Sequence, residues 1–175
     1  MTRYIAFLRA INVGGRTVKM EDLRQMLALP GFKNIATYIQ SGNVAFDIAS
    51  IEKEAVINKI ETRLNKTLGF EVKAFIKTIA EIEQIIKKNP FPTHGEDMAL
   101  HISFLSGEPA TDALQALLLI QNEQEQFCII DTEAYILVKK GAYGETKFSN
   151  TFLEKKLKLH ATTRNWATLN KMLTM

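Results

Sequence analysis

Two stretches of the chain repeat each other, and this repetition constrains the fold more than any other feature. Residues 4–8 read Tyr-Ile-Ala-Phe-Leu and residues 101–105 read His-Ile-Ser-Phe-Leu. Each stretch is followed by a helical pattern and then by a hairpin pattern. A recurring order of elements indicates a recurring structural unit. We therefore infer an internal duplication and expect an α+β protein made of two β-α-β-β-α halves.

The first half, residues 1–88, has the order of elements of a ferredoxin-like domain. Short apolar runs predict strands at 3–8, 34–39, 43–47 and 71–77. The two intervening helices carry apolar residues at helical spacing, and they end at Pro30-Gly31 and at Gly69. The resulting order is β-α-β-β-α-β, with a hairpin between the second and third strands.

Residues 89–98 contain two prolines and mostly polar side chains, which is typical of a connecting segment. The second half, 99–175, then begins with a new strand, a leucine-rich helix and a hairpin. Its end differs from that of the first half, because Thr162-Thr163 resembles the start of a helix. We expect a helix near 163–174 where the first half has its fourth strand, and hence an extra C-terminal helix.

The composition excludes several classes of protein. With 46% hydrophobic and 23% charged residues, the chain is typical of globular domains. No apolar stretch approaches the roughly 20 residues that cross a bilayer, so we expect no membrane contact. The apolar segment before Arg9 is too short for a signal peptide. The single cysteine, Cys128, lies in an apolar run and has no partner for a disulfide, so we expect a cytoplasmic protein.

The motifs of the common catalytic and metal sites are absent from the sequence. The three histidines, His94, His101 and His160, are scattered, and there is no Cys-x-x-Cys pair. Because tetrahedral metal sites need several convergent ligands, we expect neither a metal nor another cofactor. His101 lies in a predicted core strand, where a structural role is expected. No catalytic residue is predicted, and whether the protein is an enzyme stays open.

The charge of the chain is distributed unevenly. Residues 1–20 carry four basic side chains and no acid, and residues 139–175 carry eight basic side chains against two acids. The part between them is acidic, although the net charge of the chain is +3. Basic side chains concentrated beside turns favour an anionic partner. The lysines of 155–158 have a simpler explanation, since cations suit the end of a helix.

Two loops with glycines join a strand to a helix, which is where backbone N–H groups bind phosphate in many proteins. The first, called the basic loop here, spans residues 9–16 and contains Gly14-Gly15. The second spans 141–147. Either loop could also be a plain connection, with Thr146 near a helix N-cap in the second. The candidate ligand-binding residues are Arg9, Asn12, Gly14, Gly15, Arg16, Lys147, Asn150, Arg164, Asn165 and Trp166. Trp166 could equally belong to the core.

A second candidate surface lies at the predicted hairpin turn of the first half, and its residues are Tyr38, Gln40, Ser41 and Asn43. We expect this turn at the opposite end of the sheet from the basic loop, about 17 Å away, which is one strand length. By the same argument, Ser106-Gly107 and the 141–147 loop should share one end of the second half. A cleft formed by 9–15, 141–150 and 164–166 would gather the basic ends of the chain.

The motifs in residues 4–15, 37–44, 143–150 and 162–166 closely resemble domain-of-unknown-function family 1697. Examples are Arg9-Ala-Ile-Asn12-Val-Gly14-Gly15 and Gln40-Ser41-Gly42-Asn43. The resemblance covers essentially the whole chain and implies an α+β fold with ferredoxin-like elements, mostly in bacterial proteins of this length. It implies no activity. Ala10 stands where the family usually has glycine, a change that costs little unless this backbone needs a positive φ.

Three functions remain open at this point. The leading hypothesis is a binding protein for an anionic ligand (nucleotide, phosphate or nucleic acid), although the strands lack the aromatic pair of RNA-recognition domains. The second is an enzyme for a phosphorylated or carboxylated metabolite, with Arg9 and Lys147 as clamps and Asn12 or Tyr38 orienting the substrate. The third is an interaction module with a large apolar patch.

Overall fold

Each half of the chain forms one four-stranded antiparallel sheet with helices packed against it. The computed structural model describes residues 1–49, 51–140 and 148–175. Two compact units are present, Met1–Glu83 with Met172–Met175 and Gln84–Lys171. The predicted α+β fold with two repeated halves is confirmed. The boundaries at 1–88, 89–98 and 99–175 stay predictions.

The first unit has the sheet order β2-β3-β1-β4. Its elements are β1 (Thr2–Arg9), α1 (Met20–Met26), β2 (Lys33–Tyr38), β3 (Asn43–Ile48), α2 (Lys53–Leu68), β4 (Lys73–Thr78) and the start of α3 (Ile79–Lys87). Helix α2 ends at Gly69, whose φ of 73° is left-handed and whose N–H group donates to Asn65 O. Glycine suits this position because it has no Cβ to clash there.

The second unit has the matching sheet order β6-β7-β5-β8. Its elements after α3 are β5 (Met98–Leu105), α4 (Thr111–Leu118), β6 (Glu125–Ile130), β7 (Glu133–Lys139), α5 (Asn150–Leu157), β8 (Ala161–Asn165) and α6 (Trp166–Met172). Helix α5 begins after Ser149, whose hydroxyl accepts the N–H of Phe152. Such an N-cap satisfies one of the free donors in the first turn of a helix.

Apolar side chains at every second position of the strands form the two cores. Tyr4, Ala6 and Leu8 of β1 belong to the core that α2 covers with Val56, Ile60 and Leu64. In the second unit, Leu105 of β5 packs with Ala134, Ile136 and Val138 of β7 and with Leu153 and Leu157 of α5. Because successive side chains of a strand point to opposite faces, every second residue meets the helices.

The predicted C-terminal helix near 163–174 is confirmed as α6, but its predicted start and the absence of a strand before it were wrong. Residues 161–165 form β8, which pairs antiparallel with β5, for instance Ser103 with Thr163. The helix begins only at Trp166, and Asn165 caps it by accepting the N–H of Thr168 at 2.7 Å. The two threonines suggested an N-cap, but they are also β-branched residues that favour strands. The extra C-terminal helix of the prediction is α6, and it follows a fourth strand.

Candidate functional site

The basic loop and the hairpin turn at 40–43 lie at the same end of the first sheet, so the prediction that they are separated was wrong. Asn12 Nδ2 donates to Gln40 O at 2.7 Å. The N–H of Leu8 donates to Gly42 O at 2.8 Å. A Cβ added to Gly42 would stand 3.1 Å from the Cβ atoms of both Leu8 and Ile11. The two motifs therefore form one continuous surface.

The antiparallel pairing of β1 with β3 is the reason for this proximity. Phe7, near the end of β1, pairs with Asn43 at the start of β3. The turn that precedes β3 therefore meets the loop that follows β1. The wrong prediction placed the turn at the beginning of β1, which in this sheet lies beside Ile48, the end of β3.

Asn12 fixes the shape of the basic loop. Besides its bond to Gln40, its Nδ2 donates to Val18 O at 3.1 Å, and its Oδ1 accepts the N–H of Val18. Four residues of the loop have positive φ, namely Ala10, Asn12, Gly14 and Gly15. Asn12 thus bonds to the segment that follows the loop and to the neighbouring turn. Its amide is engaged in holding the loop and its neighbouring turn in place.

Arg16 is held in position without being neutralised. Its guanidinium carbon lies 4.3 Å from the centre of the Phe70 ring, and Phe70 packs against the core. Arg16 and Lys19 are both exposed, and neither has an acidic partner within the described part of the chain. A cation stacked on an aromatic ring keeps its N–H donors at the edge of the guanidinium.

The backbone of the loop offers further donors. The N–H groups of Gly14 and Gly15 have no hydrogen-bond partner among the residues that the structure describes. A Cβ added at either glycine would meet no atom within 4 Å, so the space in front of the loop is open. The start of α1 is a poorer anion site, because Glu21 and Asp22 lie in its first turn.

Arg9 is less available than the sequence suggested. It is half-buried and lies opposite Lys73 in the pairing of β1 with β4. Lys73 forms ion pairs with Glu61 at 3.3 Å and Glu71 at 3.4 Å. Arg9 itself is already engaged in interactions of the folded chain. The exposed cations of this surface are therefore Arg16 and Lys19.

The turn contributes polar and apolar groups to the same surface. Asn43 is fully buried and donates to Tyr38 O and Ser41 Oγ, so it stabilises the turn. Gln40 is exposed and Tyr38 is half-buried. Ile39 is 47% exposed and has a φ of 48°, which is unusual for a β-branched residue. Val13 of the basic loop is also exposed, at 46%.

The candidate residues of the second unit have mainly structural contacts. Asn150 Oδ1 accepts the hydroxyl of Thr163 at 2.6 Å, and Asn165 is the cap of α6. Arg164 is 7% exposed and donates to Thr162 Oγ1, and its burial lowers its pKa to about 10. Trp166 is half-buried, with its ring 6.4 Å from that of Tyr135.

The 141–147 loop, with Lys147, lies outside the described residues. The chain leading to it can be followed to Lys140, whose N–H donates to Asp97 O at 2.7 Å beside the start of β5. Ser106, at the end of β5, instead accepts the N–H of His160 at 3.0 Å. The prediction that Ser106-Gly107 and the 141–147 loop share one end of the sheet stays a prediction, because that loop lies outside the described residues.

The second unit contains a small cavity that the sequence analysis missed. Its volume is about 220 Å³, and His101, Phe148, Ser149, Asn150 and Thr163 are among its lining residues. Burial lowers the pKa of His101, and a hydrogen bond with the backbone of Ala99 opposes this only in part. The imidazole is therefore neutral at pH 7. The clue in the sequence was His101 at the strand position that Tyr4 occupies in the first half.

The metal-ligating side chains and the cysteine thiol provide no further site among the described residues. Within residues 1–49, 51–140 and 148–175, no three His, Cys, Asp or Glu side chains converge as metal ligands would. Burial raises the pKa of the half-buried Cys128 thiol, which disfavours its nucleophilic thiolate form. None of the described helices is long and apolar enough to cross a membrane.

Comparison with known proteins finds the same family that the sequence motifs resemble. The family model described as "Protein of unknown function (DUF1697)" matches residues 1–135. The chain belongs to this family. The fold is shared with the conserved bacterial protein SP0830 from Streptococcus pneumoniae, with a TM-score of 0.76 and 24% sequence identity. That similarity covers 99% of this chain and 97% of SP0830. No curated protein matches the sequence.

One departure from the DUF1697 pattern now has a structural meaning. Ala10 stands where the resemblance leads us to expect glycine, and its φ is 73°. A residue with a Cβ costs roughly 1–2 kcal/mol in this left-handed region. The backbone at position 10 has a positive φ, so alanine in place of glycine is costly there in this member of DUF1697. The position lies directly at the base of the basic loop.

Phe70 and Lys19 are the residues of this surface that the sequence analysis missed. Phe70 follows Gly69, the end of α2, and precedes β4, whose first residue Lys73 pairs with Arg9. An aromatic residue shortly before the strand that meets the end of β1 was the available signal in the sequence. Lys19 was counted only as part of the basic N-terminal segment.

Proposed function

We propose that the surface formed by the basic loop and the 40–43 turn binds an anionic ligand that carries a phosphate group, such as a nucleotide. The observation that carries the proposal is Arg16, an exposed cation with no acidic partner among the described residues, positioned by Phe70 beside the unpaired N–H groups of Gly14 and Gly15. Guanidinium and backbone N–H donors together are the usual ligands of phosphate in proteins.

Preorganisation supports the proposal. Asn12 ties the loop to the turn, so the donors are held in place before a ligand arrives. A ligand that meets a preformed site does not have to order the loop, and its affinity is correspondingly higher. The strained φ of Ile39 on the same surface is of the kind found at functional sites.

A nucleotide fits this surface better than free phosphate does. Val13 and Ile39 are both exposed, and they flank the hydrogen bond between Asn12 and Gln40. Apolar side chains beside a phosphate site offer contact to the base and sugar. RNA is the alternative within the same class of ligand, and its affinity should fall steeply between about 50 and 200 mM salt.

We also infer that the two units arose by internal duplication of a ferredoxin-like unit. They have the same order of elements and the same sheet order. In both, the N–H of the last leucine of the first strand bonds a carbonyl in the hairpin turn, Gly42 O for Leu8 and Thr132 O for Leu105. The basic loop is then a feature that one copy has and the other lacks.

The test measures the midpoint of thermal unfolding with inorganic phosphate, ATP and a short single-stranded RNA. A ligand present at 100 times its Kd stabilises the protein by about 2.7 kcal/mol. We expect ATP to raise the midpoint more than phosphate does. Arg16→Gln should weaken ATP binding about tenfold, because a charged hydrogen bond contributes about 1.5 kcal/mol.

Lys33→Gln is the matched control, because Lys33 is an exposed cation of the same sheet. It lies beside Asp47 in the pairing of β2 with β3, at the end of β3 away from the turn. It should leave ATP binding within twofold of the wild type, about 0.4 kcal/mol. An equal loss in both variants would reduce the effect to net charge. The absence of any shift with all three probes would refute the anion site.

A further inference from the structure

Helix α2 lines a surface groove on the first unit, distinct from the basic loop. The groove has a volume of about 500 Å³, and one of its sides is formed by Leu29 and Pro30, which follow α1. The other side carries three basic residues of α2, Lys59, Arg63 and Lys66. This volume lies within the range of roughly 300–1,000 Å³ that is typical of small-molecule sites.

The three cations lie along one side of the helix, and none of them is neutralised. Lys59 and Arg63 are four residues apart and Arg63 and Lys66 three apart, so they are neighbours on the helix surface. None forms an ion pair with an acidic side chain of the described chain, and no acidic residue is among the described residues that line the groove. Arg63 Nε donates to Met26 O at 3.1 Å, which fixes its guanidinium beside the groove.

The helix dipole explains only one of these charges. Lys66 lies in the last turn of α2, where a cation is favourable. Lys59 and Arg63 lie before that turn, and like charges at this spacing destabilise a helix. An anion bound between them would remove this repulsion.

The surface within the groove is mostly apolar, although Asn58 and Thr62 also line it. Leu29 is half-buried against the core, Pro30 has no side-chain polar group, and the long stems of Lys59 and Lys66 add methylene groups. No aromatic ring is among its described lining residues, so the groove lacks the stacking platform that single-stranded nucleic acid uses. Charge at the rim and apolar surface within favour a ligand that has both.

We propose that this groove binds a small amphiphilic anion, a carboxylate carried on an apolar body such as an alkyl chain. The carboxylate lies between Lys59, Arg63 and Lys66, and the apolar body lies against Leu29 and Pro30. This site is separate from the proposed phosphate site, and neither depends on the other.

The experiment titrates the ¹⁵N-labelled protein with decanoate, 1-decanol and acetate in separate arms and follows the amide shifts. We expect decanoate to shift the amides of 29–31 and 58–66 saturably, while decanol and acetate bind at least about tenfold more weakly because each lacks one half of the recognition. Lys59→Gln/Lys66→Gln should weaken decanoate binding about fivefold, since exposed charge pairs contribute up to about 1 kcal/mol.

Lys139→Gln is the control, because Lys139 is an exposed lysine of the second unit. It should leave decanoate binding unchanged. Equal binding of decanol and decanoate would overturn the role of the cations, and equal binding of acetate would overturn the role of the apolar body. Shifts confined to 13–19 would assign decanoate to the other site. A fourth arm uses an acidic leucine-containing peptide. Binding of this peptide without binding of decanoate would make the groove a protein-docking surface and would also overturn the proposal.

Discussion

The loop after β1 and the loop after β5 leave equivalent strands in the two units, yet they differ in length, charge and anchoring. Ten residues join β1 to α1, and five join β5 to α4. The longer loop carries Arg16 and Lys19, whereas the shorter one carries Glu108 as its charged residue. The strand ends are anchored alike, by Leu8 to Gly42 and by Leu105 to Thr132. The arrangement of the strands is therefore shared, and the difference in length and charge lies in the connection.

The buried residues of the first strand in each unit, which form the layer beneath the helices, also differ between the two units. At equivalent positions of β1 and β5, the first unit has Tyr4 and Ala6, and the second has His101 and Ser103. All four are buried, and Ser103 Oγ has no hydrogen-bond partner within the described structure. The first unit has an apolar layer with a polar loop above it. The second has polar groups in the layer itself, next to the cavity at His101.

Gly42→Ala should give the largest effect, because it breaks the contact that joins the loop to the turn. The new Cβ would meet two Cβ atoms of rigid side chains at 3.1 Å, and the φ of Gly42 is 75°. Steric crowding and backbone strain together should lower the free energy of unfolding by about 3 kcal/mol, measured by urea denaturation.

Gly14→Ala is the matched control for this change. Its φ of 62° is also left-handed, but a Cβ there meets nothing within 4 Å. It should cost only about 1 kcal/mol, the strain term alone. Equal losses in the two variants would mean that the close approach of the turn to Leu8 and Ile11 contributes nothing to stability.

Exchanging the buried residues of the two layers should give opposite, smaller effects. Ser103→Ala removes a buried hydroxyl without a partner and should raise the free energy of unfolding by about 1 kcal/mol. Ala6→Ser introduces such a hydroxyl at a fully buried position and should lower it by about 2 kcal/mol. Thermal or urea unfolding of both variants measures the difference. A loss of stability in Ser103→Ala would show that its hydroxyl is satisfied in solution, for instance by a water molecule.

Local patterns in the sequence were enough to predict the order of elements as far as α5, because the apolar periodicities of strands and helices differ. They failed at 161–165, where Thr162 and Thr163 fit two patterns equally and only the pairing with β5 decides between them. That pairing is a tertiary interaction, and tertiary context routinely overrides local propensity.

The surface at the basic loop could be predicted in part. The sequence identified its glycines, Asn12 and Arg16, but the position of the 40–43 turn was predicted wrongly although the order β-α-β-β contained the answer. In that order the third strand pairs antiparallel with the first, so the start of β3 meets the end of β1. The contact of Arg16 with Phe70 could not be predicted, because it depends on how α2 ends and on the direction of two side chains.

The smallest effect is expected at Ala10, the position where the chain departs from the DUF1697 pattern. Its φ of 73° strains alanine and suits glycine, whereas glycine loses more entropy on folding. Because we expect the relief of strain to exceed the loss of entropy, Ala10→Gly should raise the free energy of unfolding by about 0.5–1 kcal/mol. Ala55→Gly is the same exchange at an exposed position in the first turn of α2 and should lower it by about 0.5 kcal/mol. Opposite signs, measured by urea unfolding under identical conditions, would confirm that the basic loop stores strain at its base. A loss at both positions would mean that Ala10 adopts a negative φ in solution and that the loop has a different shape there.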